Sequence, residues 1–114
     1  MSKRSDRLYC RDILESGAAI CSYVEGIDLD MFVRDRMRHS AVIREFEIIG
    51  EAVGKLAAEL RLAYPAVPWQ DIKDFRNLLA HEYFGIDLEI VWNTIHNDLP
   101  ILMEAVKNTE KEIQ

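Results

Sequence analysis

Two side chains five residues apart, Arg76 and His81, are of the types that can cleave a phosphodiester bond in RNA. A histidine, with an unperturbed pKa of about 6.5, can remove or donate a proton at neutral pH. An arginine stays charged and can hold a phosphate through two parallel hydrogen bonds, which stabilises the charge of a pentacoordinate transition state. The pair could therefore activate a ribose 2′-hydroxyl against the adjacent phosphate without a metal ion.

The Arg-x4-His spacing occurs a second time, at Arg34 and His39. This second match has Ala41 two residues beyond its histidine, whereas Tyr83 holds that position after His81. It also lies in an arginine-rich run, where a chance match is easier. We expect Arg34 and His39 to contribute a basic surface rather than a catalytic pair.

The geometry of a helix separates Arg76 from His81. At about 100° per residue, the two side chains point about 140° apart. They can converge only through the reach of the arginine, through loosening near the helix end, or through a second subunit. The alternative interpretation is a solvated arginine and a helix-capping histidine.

Metal and redox chemistry have no support in the sequence. There is no Cys-x2-Cys, His-x3-His or Glu-x2-His pattern, and the three histidines are widely separated, so we expect no metal site and no cofactor. No glycine-rich phosphate loop or nucleophile elbow is present. We expect Cys10 and Cys21 to be reduced, core-facing residues, because they would lie about 16 Å apart on one helix.

Helical periodicity runs through the whole chain and predicts two segments in the first half. The first begins with Ser5 as N-cap and stops at Gly26. The second begins after Asp28 or Asp30 and runs to about Ala63, as a short turn followed by a long helix. Two small residues in it, at positions 50 and 54, would let another helix approach closely.

Two more helical segments are predicted after the connector that contains Pro65 and Pro68. The third spans residues 70–84 and stops at Gly85. The fourth opens at Asp87 and runs to residue 111, with Pro100 either kinking it or lying in the first turn of a restarted helix capped by residue 98.

The composition fits a single all-α domain over residues 1–114. The chain is 49% hydrophobic and 30% charged, which can build a core, and only 5 Gly and 3 Pro argue against a β-sandwich or barrel. We predict an antiparallel four- to five-helix bundle. Because no apolar run approaches the roughly 20 residues of a membrane helix and no secretory signal is visible, we expect a soluble cytoplasmic protein without a membrane partner.

The net charge of −6 is unevenly distributed. Residues 1–44 carry eight Lys/Arg and seven Asp/Glu, whereas residues 45–114 carry six and thirteen. A polyanion would therefore have to bind locally, in the basic first half. The candidate RNA-binding residues are Arg4, Arg7, Arg11, Arg34 and Arg38.

The run from Arg76 to Tyr83, Arg-Asn-Leu-Leu-Ala-His-Glu-Tyr, resembles the Arg-(polar)-x3-His-x-Tyr signature of HEPN-domain proteins of the HepT toxin type. Three further segments resemble that family in the same order: Ile49-Gly-Glu-Ala52, Pro65-x-x-Pro-Trp69, and Asp87 through Trp92. The resemblance implies a helical bundle that dimerises with the motif at the subunit interface.

The resemblance also implies a metal-independent endoribonuclease. In that family pattern, His81 would be the general acid/base, Arg76 would hold the scissile phosphate and Asn77 would be a supporting polar group. The product would carry a 2′,3′-cyclic phosphate.

The family pattern further implies a type VII-like toxin–antitoxin module. A minimal nucleotidyltransferase antitoxin would transfer AMP to Tyr83 and so block RNA entry. It would act on the homodimer, either as such or within a higher toxin–antitoxin oligomer. The alternatives are a noncatalytic helical module that presents a substrate or nucleotide to such a transferase, and a plain dimerisation bundle.

Overall fold

The computed structural model describes residues 3–81 and 87–113, and for residues 3, 4, 77, 78, 80, 81 and 113 it describes the backbone only. These residues form seven helices, which confirms the all-α prediction. The helices are α1 (Lys3–Tyr23), α2 (Leu29–Arg34), α3 (Arg36–Lys55), α4 (Ala58–Leu62), α5 (Trp69–His81), α6 (Leu88–Asn97) and α7 (Leu99–Ile113). None of these helices has the length and apolar content of a membrane span.

The long helix α3 connects the bundle, because it contacts both α1 and α5. Its buried side chains recur at helical spacing and form a single apolar stripe. In turn, α7 packs against α1 and α6, while the short α2 contacts α3 and α6. The residues of this core with under 2% exposure include Ile13, Ile20, Phe32, Val42, Ile49, Val53, Leu79, Val91, Leu99, Leu102 and Val106.

Helix starts follow local hydrogen-bonding chemistry. The Asp28 carboxylate accepts from the Met31 N–H at 2.9 Å and caps α2, and Asp87 accepts from the Glu89 N–H at 2.9 Å and caps α6. Pro100 is the second residue of α7, so of the two predicted alternatives, a kink and a restarted helix, the restart is confirmed, and Asp98 is the single residue between α6 and α7. The first-turn position suits proline because its missing N–H has no intrahelical partner there.

Two predicted helix bounds are wrong. The predicted N-cap, Ser5, lies inside α1, which is already helical at Lys3. The long helix ends at Lys55 rather than near Ala63, because Leu56 and Ala57 leave the helical range of backbone angles. The predicted end of the third segment, at Phe84 and Gly85, lies outside the described residues.

A buried carboxylate explains the break after α3. Asp6 on α1 is 6% exposed, and its Oδ1 accepts from the Ala57 N–H at 3.2 Å. The side chain of Leu56 is 4% exposed and belongs to the core. The chain therefore leaves the helix to bury Leu56 and to satisfy Asp6, a contact between residues 51 positions apart.

The two cysteines are free, as predicted, but only one faces the core. Cys10 is buried, whereas Cys21 is exposed, so the prediction for Cys21 is wrong. Cys21 lies about 100° around α1 from the buried Ile20, which turns it away from the core.

Candidate functional site

The connector before α5 fixes where that helix begins. The Trp69 indole Nε1–H donates to the Tyr64 carbonyl at 3.1 Å, and the Ile72 N–H donates to the Pro68 carbonyl at 3.0 Å. Pro68 directly precedes α5, where its fixed backbone angle suits a helix start. The polar groups of the connector thereby hold the first turn of the helix that carries the Arg76 motif.

Helix α5 is held against α3 by apolar contacts. Ile72 and Leu79 are buried, and the half-buried Phe75 packs edge-to-face on Phe46 of α3, with ring centroids 5.2 Å apart. Arg76, the next residue on α5, also faces α3, where it lies against Gly50.

Arg76 lies across Gly50. A β-carbon built on Gly50 would stand 2.2 Å from Cβ and 2.6 Å from Cγ of Arg76. The predicted close approach at Gly50 is confirmed, since any side chain there would overlap the base of the arginine. At Gly54 the nearest atom to such a β-carbon is Cε of Lys73 at 3.8 Å, an ordinary contact.

The guanidinium of Arg76 retains binding capacity. Its side chain is half-buried, and its Nε is buried with no hydrogen-bond partner among the described residues. A buried donor without a partner costs about 1–3 kcal/mol, and such groups in native proteins call for a functional or structural explanation. This Nε is closed off from solvent, so an anion such as a phosphate would pair with it once the guanidinium turns outward.

The other predicted motif residues are only partly described. His81 is the last residue of α5, and Asn77 lies within it, but their side chains lie outside the described residues. Tyr83 lies outside the described residues altogether. The relative placement of Arg76 and His81 side chains therefore stays a prediction.

The second Arg-x4-His match is divided between two helices. Arg34 ends α2 and pairs with Asp30, whereas His39 lies on α3 with its Nδ1 3.1 Å from the Phe32 carbonyl oxygen. Between them, Asp35 interrupts the helix with an extended backbone. Both side chains thus have local partners.

The predicted RNA-binding arginines occupy two regions. On α1, Arg7 is exposed and Arg11 lies 3.9 Å from Glu110, while the side chain of Arg4 lies outside the described residues. At the junction of α2 and α3, Arg34 and Arg38 line one cleft. Arg36 lines the same cleft. The sequence places it in the arginine-rich run but does not reveal the cleft, because the cleft depends on the shape of the junction between α2 and α3.

The described residues contain no candidate metal site. In residues 3–81 and 87–113, no group of three or more His, Cys, Asp or Glu side chains is arranged to hold a metal ion.

The comparisons with known proteins agree on one family. The family model described as Ribonuclease HepT-like matches residues 13–109. The chain is 38% identical to a protein of Methanocaldococcus jannaschii over 94% of this chain and 98% of that protein, and 36% identical to one of Thermococcus cleftensis over 96% and 99%. A protein of Caldanaerobacter subterraneus subsp. tengcongensis is 39% identical over 91% and 93%.

Each of these three relatives carries RNase or ribonuclease in its name. No solved structure gives a significant match to the chain. The match covers most of the chain from α1 to α7, including the whole of the described part of α5. The chain therefore belongs to the HepT-like ribonuclease family.

Proposed function

We propose that this protein is a metal-independent endoribonuclease that acts as the toxin of a type VII-like toxin–antitoxin module. The observation that carries the proposal is Arg76, packed over Gly50 with an Nε that has no partner among the described residues. Membership of a family whose named members are ribonucleases supports an RNA phosphate as the anion that this guanidinium binds.

In the proposed reaction, His81 removes the proton from a ribose 2′-hydroxyl, and the 2′-oxygen attacks the adjacent phosphorus. Arg76 holds the non-bridging oxygens as their charge increases, and Asn77 supplies a further polar contact. The bond from phosphorus to the 5′-oxygen breaks, and that oxygen takes up the proton that His81 removed. The products are a 2′,3′-cyclic phosphate and a 5′-hydroxyl.

The first experiment measures RNA cleavage in excess EDTA by protein whose intact mass shows no modification. We expect cleavage with cyclic phosphate ends, and its loss in Arg76→Ala and His81→Ala. Arg61→Ala is the matched control, because Arg61 on α4 is also half-buried with an unpartnered Nε among the described residues. Cleavage that survives His81→Ala would contradict the mechanism, and no cleavage by verified unmodified protein would favour a noncatalytic module.

A dimer with the motif at its interface would bring Arg76 and His81 together despite their separation on one helix. Coexpression of Arg76→Ala and His81→Ala chains tests this arrangement. If each site takes its arginine from one subunit and its histidine from the other, a mixed dimer retains one intact site and recovers activity. Recovery would be absent if both groups come from the same chain.

The proposed antitoxin is a minimal nucleotidyltransferase that transfers AMP to Tyr83. The Tyr83 hydroxyl oxygen would attack the α-phosphorus of ATP and release pyrophosphate. Incubation with the transferase and ATP should add one AMP mass and abolish cleavage, whereas Tyr83→Phe should gain no mass. Modification of the Phe variant would show that another residue is the acceptor.

A further inference from the structure

A cleft with a volume of about 490 Å³ lies at the junction of α2 and α3. This volume is in the range that accommodates a small organic ligand. Its lining combines two apolar side chains, three guanidinium groups and one carboxylate, from Ile27, Met31, Arg34, Asp35, Arg36 and Arg38.

The carboxylate in the cleft is already committed to Arg38. Asp35 accepts from the backbone N–H and from Nε of Arg38, each at 3.1 Å, and these bonds lower the pKa of Asp35. Arg38 also donates through Nη1 to the Tyr23 carbonyl. Asp35 and Arg38 are thus a fixed, mutually neutralised wall of the cleft.

The other two arginines retain capacity for an anion. Arg34 pairs with Asp30, but both side chains are largely exposed, and an exposed ion pair of this kind contributes little and can exchange partners. Arg36 is exposed and has no ion-pair partner among the described residues. Met31, which is 49% exposed, supplies an accessible apolar surface beside them.

We propose that this cleft binds one nucleotide of the RNA substrate, at a site separate from Arg76. A nucleotide combines a flat base, whose ring faces are apolar, with an anionic phosphate, and this combination matches Ile27 and Met31 beside Arg36 and Arg34. The assignment rests on the proposed function, because it takes RNA as the polyanion. Arg36 and Gly50 are 14 residues apart on α3, so a strand that reaches both the cleft and Arg76 spans about 21 Å along that helix.

The test is the binding of a fluorescent single-stranded 2′-O-methyl oligonucleotide, which lacks the hydroxyl needed for cleavage. Arg36→Gln should weaken binding about tenfold, the effect of one charge-assisted hydrogen bond. It should also reduce the slope of log affinity against log salt concentration by about 0.7, the value for one phosphate contact on a single strand. Lys107→Gln, the matched control, removes one exposed positive charge on α7 and should leave affinity within about twofold.

A second probe, AMP alone, distinguishes an RNA site from a site for a free nucleotide. We expect AMP to bind far more weakly than the oligonucleotide, because it lacks the contacts of the continuing strand. AMP binding as tight as the oligonucleotide, and equally dependent on Arg36, would overturn the RNA assignment. Equal oligonucleotide affinities for Arg36→Gln and Lys107→Gln would overturn the proposal that the cleft binds RNA.

This design separates the cleft from the nuclease. A protein that binds the oligonucleotide through Arg36 but cleaves no RNA would contradict the proposed catalysis and leave the cleft standing. A protein that cleaves RNA through Arg76 and His81, with binding unaffected by Arg36→Gln, would contradict only the cleft.

Discussion

Cβ of Arg76 stands 2.2 Å from the point where a side chain on Gly50 would begin. The candidate phosphate-binding arginine therefore depends on the absence of an atom on a different helix, 26 positions earlier in the chain. Glycine at the middle of a helix costs about 1 kcal/mol relative to alanine. The missing side chain at Gly50 is what allows α3 and α5 to pack closely at Arg76.

Gly50→Ala should lower the free energy of unfolding by about 1–3 kcal/mol, the usual cost of overpacking a tight contact. Gly54→Ala, one turn later on α3, should raise the free energy of unfolding by up to about 1 kcal/mol. Alanine forms a helix more readily than glycine, and its β-carbon would make only an ordinary contact with Lys73. Urea denaturation measures both. The penalty at Gly50 should shrink in an Arg76→Gly background, and equal effects at positions 50 and 54 would contradict the packing argument.

Asp35 serves two helices, since it follows the last residue of α2 and caps the first turn of α3 through the Arg38 N–H. Asp35→Ala should therefore lower the free energy of unfolding by about 1–2 kcal/mol, the typical effect of losing an N-cap. Asp30→Ala removes a nearby exposed carboxylate whose ion pair in the described part of the chain is with Arg34, and should cost less than about 1 kcal/mol. Thermal or urea unfolding of the two variants, compared at one salt concentration, checks the difference.

Burial raises the pKa of the Cys10 thiol to about 11, with further contributions from the charges of Asp6 and Glu110. The unfolded chain loses this proton first, near the ordinary pKa of 9.0, so the Cys10 contribution to stability falls as pH rises from about 9 to about 11. The stability of Cys10→Ala should fall less over this range than that of the parent, as urea denaturation at several pH values would show. Identical slopes for the two proteins would contradict the shifted pKa.

The burial of Cys10 predicts unequal reactivity of the two thiols. At pH 8, a thiol reagent should label the exposed Cys21 quickly and Cys10 only after unfolding, because Cys10 is both buried and protonated. Mass analysis of labelled peptides in the presence and absence of urea gives the result. Rapid labelling of Cys10 in the folded protein would be inconsistent with its position in the core.

Burial, with the charge of Asp71 nearby, raises the pKa of the Asp98 carboxyl. As pH rises, the unfolded chain releases this proton first, near the ordinary pKa of 3.8, so ionised Asp98 lowers stability at neutral pH. Asp98→Asn should increase the Tm at pH 7 and give no increase at about pH 3, where the carboxyl is protonated in both states. Asp71→Asn should give a smaller increase, and a gain for Asp98→Asn that persists at pH 3 would contradict the electrostatic explanation.

The all-helical class and several helix starts could be predicted because their signals are local. Asp28 and Asp87 cap helices through N–H groups two or three residues away, and Pro100 restricts only its own turn. Interactions of this range are present in the sequence before any tertiary contact forms. The motif from Arg76 to Tyr83 is equally local, and this is why its residues could be chosen from spacing and resemblance.

Which of two similar residues makes a given contact depended on the tertiary structure alone. Gly50 and Gly54 look alike in sequence, yet only Gly50 lies under Arg76, because this depends on how α5 crosses α3. The end of α3 depends on Asp6, 51 positions before Ala57. Arg38 differs from Arg36 because it bonds to Asp35 and to the Tyr23 carbonyl, whereas Arg36 has no ion-pair partner among the described residues. The sequence by itself thus determined the all-helical class, several helix starts and the candidate chemistry, whereas helix rotation and long-range burial determined where α3 ends and which side chains remain available to bind.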